Sequence, residues 1–195
     1  MKCTLVLDKS GSMTIRDQKN ARSRWEACKE AVTALAYKAE QKNPEGMSFY
    51  MFAGRFKRYE NVTAAKITEI YDENEPGGGT ELGEVLEDAF NQISERKAKG
   101  STMPELVLVI TDGEPDNRDT VAEAIAKMSH KIKSRSELAI SFIQVGSDPA
   151  ATDFLRSLDD DLTKAGAAID IVDTVTMEEM EDYSLTQIFD KAFTD

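Results

Sequence analysis

Histidine is almost missing from this chain. His130 is the only one among 195 residues, so a serine nucleophile that needs an imidazole base would have to be served by it alone. The helical spacing around it puts His130 within or near the end of a helix, far along the chain from the serines singled out below, and no Gly-x-Ser-x-Gly elbow is present. Cysteine is scarce as well. Cys3 and Cys28 stand in no metal-binding or redox spacing, and two cysteines do not staple a domain of this size. Cys3 falls in a strand pattern and Cys28 in a helix pattern, as small core residues do. Basic charge is deficient: 24 Lys and Arg against 36 Asp and Glu give a net charge of −12 and a pI near 4.7. Such a surface excludes nucleic acid as the expected partner, because phosphate contacts need Lys and Arg. It equally disfavours docking to an anionic membrane. No apolar run approaches the roughly 18 residues of a membrane span. The opening run ends at Asp8, too short and too soon charged for a signal peptide, so a complete chain is expected in the cytoplasm. Neither G-x-x-x-x-G-K-[ST] nor G-x-G-x-x-G occurs, which leaves nucleotide binding without a motif.

What is present is an alternation of short apolar runs and helical patterns, in a chain that is 41% hydrophobic. Residues 3–7 form the first strand, ending at Asp8. Ser23-x-x-Glu26 has the form of a capping box, and Trp25, Cys28, Val32, Leu35 and Ala39 recur at helical spacing until Asn43-Pro44-Glu45-Gly46 stops the helix. Residues 47–52 read as a strand, 59–63 as a short edge strand and 65–71 as a short helix. Residues 72–79 read as a loop rich in Glu and Gly, after which Thr80 is placed as the cap of a helix carrying Leu82, Val85, Leu86, Ala89, Phe90 and Ile93 on one stripe. Residues 106–110 are five consecutive branched aliphatics, the mark of a strand buried on both faces. Thr120-x-x-Glu123 reads as a second capping box. Residues 138–145 read as a strand, 152–158 as a helix and 169–172 as a last strand. Leu185, Ile188, Phe189 and Ala192 form the stripe of a closing helix over 184–193. This order predicts a single domain over 1–195, with helices on both faces of a mainly parallel sheet. No repeat, low-complexity tract or interdomain linker interrupts it.

Three loops gather oxygen: 8–13 after the first strand, 77–80 at a helix entry, and 112–116 after the most hydrophobic strand. Ligands of an open parallel sheet sit outside the carboxyl ends of its strands, so the three loops should converge there. Their donors are two carboxylates, Asp8 and Asp112, and three hydroxyls, Ser10, Ser12 and Thr80. With no Cys or His beside them, zinc and copper are disfavoured, whereas a hard cation such as Mg²⁺ suits them. Taken singly, each residue has an ordinary explanation in loop composition, a helix cap or a turn; their co-occurrence carries the reading.

Asp8-x-Ser10-x-Ser12, Thr80 and Asp112 together resemble the metal-ion-dependent adhesion site of von Willebrand factor A domains, with no departure at the five positions and with β/α order matching along essentially the whole chain. The resemblance implies a Rossmann-like doubly wound α/β fold, a mostly parallel six-stranded sheet with one short antiparallel edge strand. It implies that Ser10 and Ser12 coordinate Mg²⁺ directly (Mn²⁺ or Ca²⁺ being alternatives), that Thr80 does so directly or through water, and that Asp8 and Asp112 act mostly through water. The sixth position goes to a Glu or Asp of a partner protein, with Lys9, Met13, Gly79 and Glu114 on the partner-facing rim. In adhesive members of the family the last helix moves when the site changes state. The expected function is therefore a monomeric protein-binding module and not an enzyme. The alternative is a metal-dependent hydrolase or phosphotransfer enzyme using Asp8 and Asp112. Against it, the Asp-x-Asp expected after the first strand of a haloacid-dehalogenase-like phosphotransferase has its second acid replaced by Ser10. Glu73, Glu75, Glu81, Glu114 and Asp116 crowd the same loops, where they serve solubility or tune the partner's charge.

Overall fold

The computed structural model describes residues 1–164, 166–182 and 185–193, without the side chains of 181, 182, 185 and 186. Its elements follow the chain as β1 (Lys2–Asp8), α1 (Arg24–Lys42), β2 (Met47–Phe52), β3 (Phe56–Val62), α2 (Ala64–Asp72), α3 (Leu82–Ala98), β4 (Glu105–Thr111), α4 (Arg118–Ser129), β5 (Leu138–Gln144), α5 (Pro149–Asp160), β6 (Val172–Thr176), α6 (Met177–Asp182) and α7 (Leu185–Lys191). The six strands lie in the order β3-β2-β1-β4-β5-β6. All neighbours run parallel except β2 and β3, which pair antiparallel at one edge. From β1 the chain winds outward to β2 and β3, then passes back over β1 to β4 and winds outward the other way. Strand order therefore reverses between β1 and β4, and beyond their carboxyl ends such a sheet leaves a crevice.

The period of two along each strand sorts side chains into two apolar layers. Leu5, Leu7, Phe49, Met51, Leu108 and Ile110 face α1, α2 and α7. Val6, Tyr50, Phe52, Val107, Val109 and Phe142 face α3, α4 and α5. Every residue of β4 is buried, as its unbroken aliphatic run requires. Fully burying side chains of this kind stabilises the fold by roughly 1.5–3 kcal/mol each before the entropy cost. At the start of α1 the capping box forms as the sequence indicates: Ser23 Oγ accepts from Glu26 N at 3.0 Å, and Glu26 accepts from Ser23 N at 2.8 Å. Trp25 and Tyr71 stack with ring centroids 4.1 Å apart, fastening α2 to α1.

Several boundaries depart from the sequence reading. The last strand begins at Val172 and not at 169, because Asp170 accepts from Val172 N in a tight turn at its entry. Its polar Asp173 and Thr174 concealed it, and both are satisfied locally: Lys191 donates to Asp173, and Thr174 N donates to Asp159. Helix α4 is capped by Asn117, whose Oδ1 accepts from the N–H groups of Asp119 and Thr120, so Thr120 is inside the first turn and Thr120/Glu123 is not a capping box. Helix α5 starts at Pro149 behind the cap Asp148, three residues earlier than the apolar stripe suggested. The edge strand likewise begins at Phe56, three residues earlier than its aromatic signal. In the closing helix Ile188, Phe189 and Ala192 are buried as expected. Ser184 and the side chain of Leu185 lie outside the described residues. Among those described, no helix is long and apolar enough to cross a membrane.

Candidate functional site

Beyond the carboxyl ends of β1 and β4, side-chain oxygens and the Ser10 backbone N–H form a chain of hydrogen bonds. Asp8, fully buried, accepts from Thr111 Oγ1 at 2.7 Å through Oδ2 and from Ser10 N at 2.7 Å through Oδ1. Ser10 Oγ lies 3.0 Å from Ser12 Oγ. Ser12 Oγ donates to Asp112 Oδ1 at 2.8 Å, and Asp112 Oδ2 accepts from Arg24 Nη1 at 2.9 Å. Four of the five residues singled out in the sequence are thus brought together across the point where strand order reverses.

The fifth, Thr80, arrives by backbone ties. Gly11 N donates to Gly78 O at 3.1 Å and Gly77 N to Lys9 O at 2.7 Å, which lays the glycine loop against the β1 loop. Thr80 is not a helix cap: α3 begins at Leu82 behind Glu81, and no side chain caps it. Thr80 is held instead by Asp116, whose carboxylate accepts from Thr80 N at 2.8 Å and whose own N–H donates to Thr80 O at 3.0 Å. A Cβ at Gly79 would stand 2.5 Å from that carboxylate, so a larger residue there would have to displace it. The Thr80 hydroxyl has no hydrogen-bond partner among the described residues and is the one oxygen of the five outside the chain.

Burial pushes the Asp8 carboxyl up to about 6, with the Asp112 charge adding to the effect and the hydrogen bonds from Thr111 and Ser10 opposing it. Burial also raises the Cys28 thiol, helped by the charges of Asp112 and Asp8, so it stays protonated beneath the site. Arg24 was not singled out by the sequence. Its guanidinium joins Asp112 to Asp17 by donating to both, with Nη2 and Nε at 2.6 and 3.0 Å from Asp17 Oδ2. The Asp17 bonds, more than Asp112, hold the Arg24 guanidinium's pKa above its ordinary value, and Arg24 in turn lowers the Asp17 carboxyl. Beyond Arg24 a cleft of about 260 Å³ opens at the ends of β5 and β6, lined by Asp17, Arg22, Gln144, Ser147 and Met177 among others.

The rim differs from expectation at one position. Lys9, Gly79 and Glu114 are partly exposed, and Arg118 Nε donates to Glu114 at 2.8 Å. Met13 is fully buried in the layer beneath the loop. The short 3-10 turn at 11–14 points its side chain inward, so it offers no surface to a partner. The apolar side chain this loop does present is Ile15, 46% exposed.

The donor set fits a small hard cation. Oxygens bound at about 2.05 Å to adjacent corners of an octahedron lie about 2.9 Å apart, and the two hydroxyls, Ser10 and Ser12, are 3.0 Å apart, which is also an ordinary hydrogen-bond distance. Among the described residues, no three carboxylate, imidazole or thiol groups converge to hold a metal. The cluster has only two carboxylates, and its other oxygens are hydroxyls.

The family model for vWA-TerF-like, the vWA found in the TerF C terminus, matches residues 1–195. No curated protein matches the chain. Among solved structures, the chain is similar to the SpRpn10 VWA domain, with a TM-score of 0.64 at 15% identity over 94% of this chain and 96% of that one. It is similar to the manganese-loaded TRAP protein of Plasmodium vivax, also at a TM-score of 0.64 and 15% identity, over 96% of this chain and 72% of that one. A mutant of the PilB minor pilin from Streptococcus sanguinis matches with the same score and identity over 98% of this chain and 61% of its own length. At such identities the likeness is one of fold: a mostly parallel six-stranded sheet with helices on both faces.

Proposed function

The chain belongs to the vWA-TerF-like family, and we propose that it binds a partner protein through a divalent cation, Mg²⁺ in the first place, held by Ser10, Ser12 and Thr80 with Asp8 and Asp112 behind them. The observation that carries this reading is the run of oxygens from Ser10 through Ser12 to Asp112, spaced at 3.0 and 2.8 Å across the crevice, with Asp8 tied to it through Ser10 N. A bound cation would supply a Lewis-acidic centre able to accept a carboxylate from a partner. The chain's own groups are suited to leave such a centre electron-poor. Neutral hydroxyls face it, and both buried carboxylates are engaged elsewhere, Asp8 by Thr111 and Ser10 N, Asp112 by Arg24. Ile15 and Lys9 flank the site as an apolar and a cationic contact for the residues on either side of a partner's Glu or Asp. Mn²⁺ is a natural probe, since the TRAP structure of the same fold is manganese-loaded.

Binding rather than catalysis is favoured by the position of the lone imidazole. His130 is at the far end of α4, which runs about 18 Å away from the sheet's carboxyl edge, and its ring is bonded to Gly166 O at 2.9 Å. The bases beside Ser10 and Ser12 are the carboxylates of Asp8 and Asp112, each already held by other donors, and no imidazole joins them among the described residues. Two buried, unpaired thiols, Cys3 and Cys28, suit a reducing compartment such as the cytoplasm.

Calorimetric titration of Mg²⁺ into the wild type, Ser12→Ala and Asp112→Asn tests the site. Saturable one-to-one binding by the wild type, weakened at least about tenfold in both variants, is expected; equal binding by all three would refute it. Capture of the same protein from the source cells in Mg²⁺ and in chelator, lost in chelator and in Ser12→Ala, is expected of the partner half of the reading.

A further inference from the structure

We propose that Arg24 sets the charge of this site, weakening its hold on the cation and strengthening its hold on an external carboxylate; the inference rests on the metal reading above. The Arg24 side chain is only 9% exposed. It is bonded to two carboxylates at once, Asp112 at 2.9 Å and Asp17 at 2.6 Å. An enclosed cation is tolerated only when so paired, and the planar fork of arginine lets one group serve two acids. The backbone is shaped around it. Gly146 has φ +73, and a Cβ there would stand 2.7 Å from Arg24 Nε. The Ser23 capping box fixes Arg24 as the first residue of α1. Three separate segments thus converge on one guanidinium that touches none of the hydroxyls.

The consequence is electrostatic. Asp112 has two oxygens. Oδ1 faces Ser12, and Oδ2 is taken by Arg24. A carboxylate neutralised on one side offers less negative charge to a cation on the other. Of the carboxylates near the site (Asp8, Asp17, Asp112 and Asp116, with Glu114 on the rim), Arg24 is bonded to two, Asp17 and Asp112. Removing its charge should make the pocket a stronger cation trap while leaving the bound ion less able to attract an outside anion. A guanidinium serving only as a strut would, when removed, impair both.

The test uses Mn²⁺ as the cation and acetate as the carboxylate. Mn²⁺ affinity is read by electron paramagnetic resonance, and acetate binding by the loss of water-proton relaxation at bound Mn²⁺. Arg24→Gln, which keeps a donor without charge, is expected to bind Mn²⁺ about tenfold more tightly and acetate about tenfold more weakly. Arg24→Lys, which keeps the charge, is expected within about threefold of wild type for both. Asp17→Asn removes a negative charge behind Arg24 and is expected to shift both quantities the opposite way from Arg24→Gln. Parallel weakening in Arg24→Gln, or no change, overturns the inference while the wild type's Mn²⁺ binding leaves the metal reading standing. A wild type that fails to bind Mn²⁺ overturns both. If circular dichroism shows Arg24→Gln unfolded, Asp17→Asn decides: weaker Mn²⁺ with stronger acetate supports the proposal, and any other pattern overturns it.

Discussion

Ser12 stands between a second hydroxyl and a carboxylate, whose hydrogen bonds fix where its own oxygen lies. Gly79 serves the same cluster indirectly. Substituting Gly79→Ala puts a methyl 2.5 Å from the Asp116 carboxylate, which breaks the bond to Thr80 N and moves the Thr80 hydroxyl. Mg²⁺ affinity should fall about tenfold, with a stability loss of about 1–2 kcal/mol, measured by calorimetry and by urea unfolding. A different residue governs pH dependence away from the site. Burial, with the nearby Asp173 charge, pushes the Asp159 carboxyl up to about 6, against about 3.9 in an unfolded chain. A raised pKa means that the folded state holds the proton more tightly. The stabilising contribution is complete below the unfolded value and is lost as pH rises through about 6. Asp159→Asn, which keeps an acceptor for Thr174 N, should be more stable than the wild type at neutral pH and indistinguishable from it near the acid end of that window, by urea midpoints at each pH. Asp8, Ser10, Ser12 and Asp112 could be singled out in the sequence because Asp8 closes one apolar strand, the two serines lie in the loop just after it, and Asp112 directly follows another. Arg24 was not: its partner Asp112 is 88 positions away, and nothing local distinguishes that arginine from a solvated one. Met13 was misread because it follows polar loop residues, and only the 3-10 turn shows that it points inward.

At the scale of elements, the strands buried on both faces and the helix with a true capping box were read correctly, since their signals are local: β4 from its aliphatic run, α1 from Ser23 and Glu26. Caps that depend on tertiary partners were not. Thr80 looked like a cap and is instead pinned by Asp116 across 36 positions. Thr120 looked like one because Glu123 follows at the right spacing, yet Asn117 had already satisfied the first turn. The two readings of α4 make opposite predictions. Asn117→Ala should cost about 1 kcal/mol and Thr120→Ala only a few tenths, compared by thermal unfolding. The reverse order would restore the sequence-based cap. Strand β6 was displaced because an edge strand bearing Asp173 and Thr174 shows little apolar signal, and these two residues find partners on α7 and α5.

For the whole molecule, strand number and mainly parallel character were legible from the order of apolar runs, while the antiparallel edge came from the family resemblance. The sheet order β3-β2-β1-β4-β5-β6 required the structure. That order makes β1 and β4 neighbours, so loops more than a hundred residues apart share one crevice, while the helices bury both sheet faces. The molecule carries a net charge of −12, and the cation enclosed beside the cluster is Arg24. A hard ion bound there would therefore offer a positive point on an acidic molecule, and a partner's carboxylate its complement. Anomalous scattering from crystals grown with Mn²⁺ would show where such an ion resides. A single peak within coordination distance of the Ser10 and Ser12 hydroxyls, beside Thr80 and lost in Ser12→Ala, is expected; a peak elsewhere, or none at saturating Mn²⁺, would contradict a metal-dependent binding site at the β1–β4 crevice.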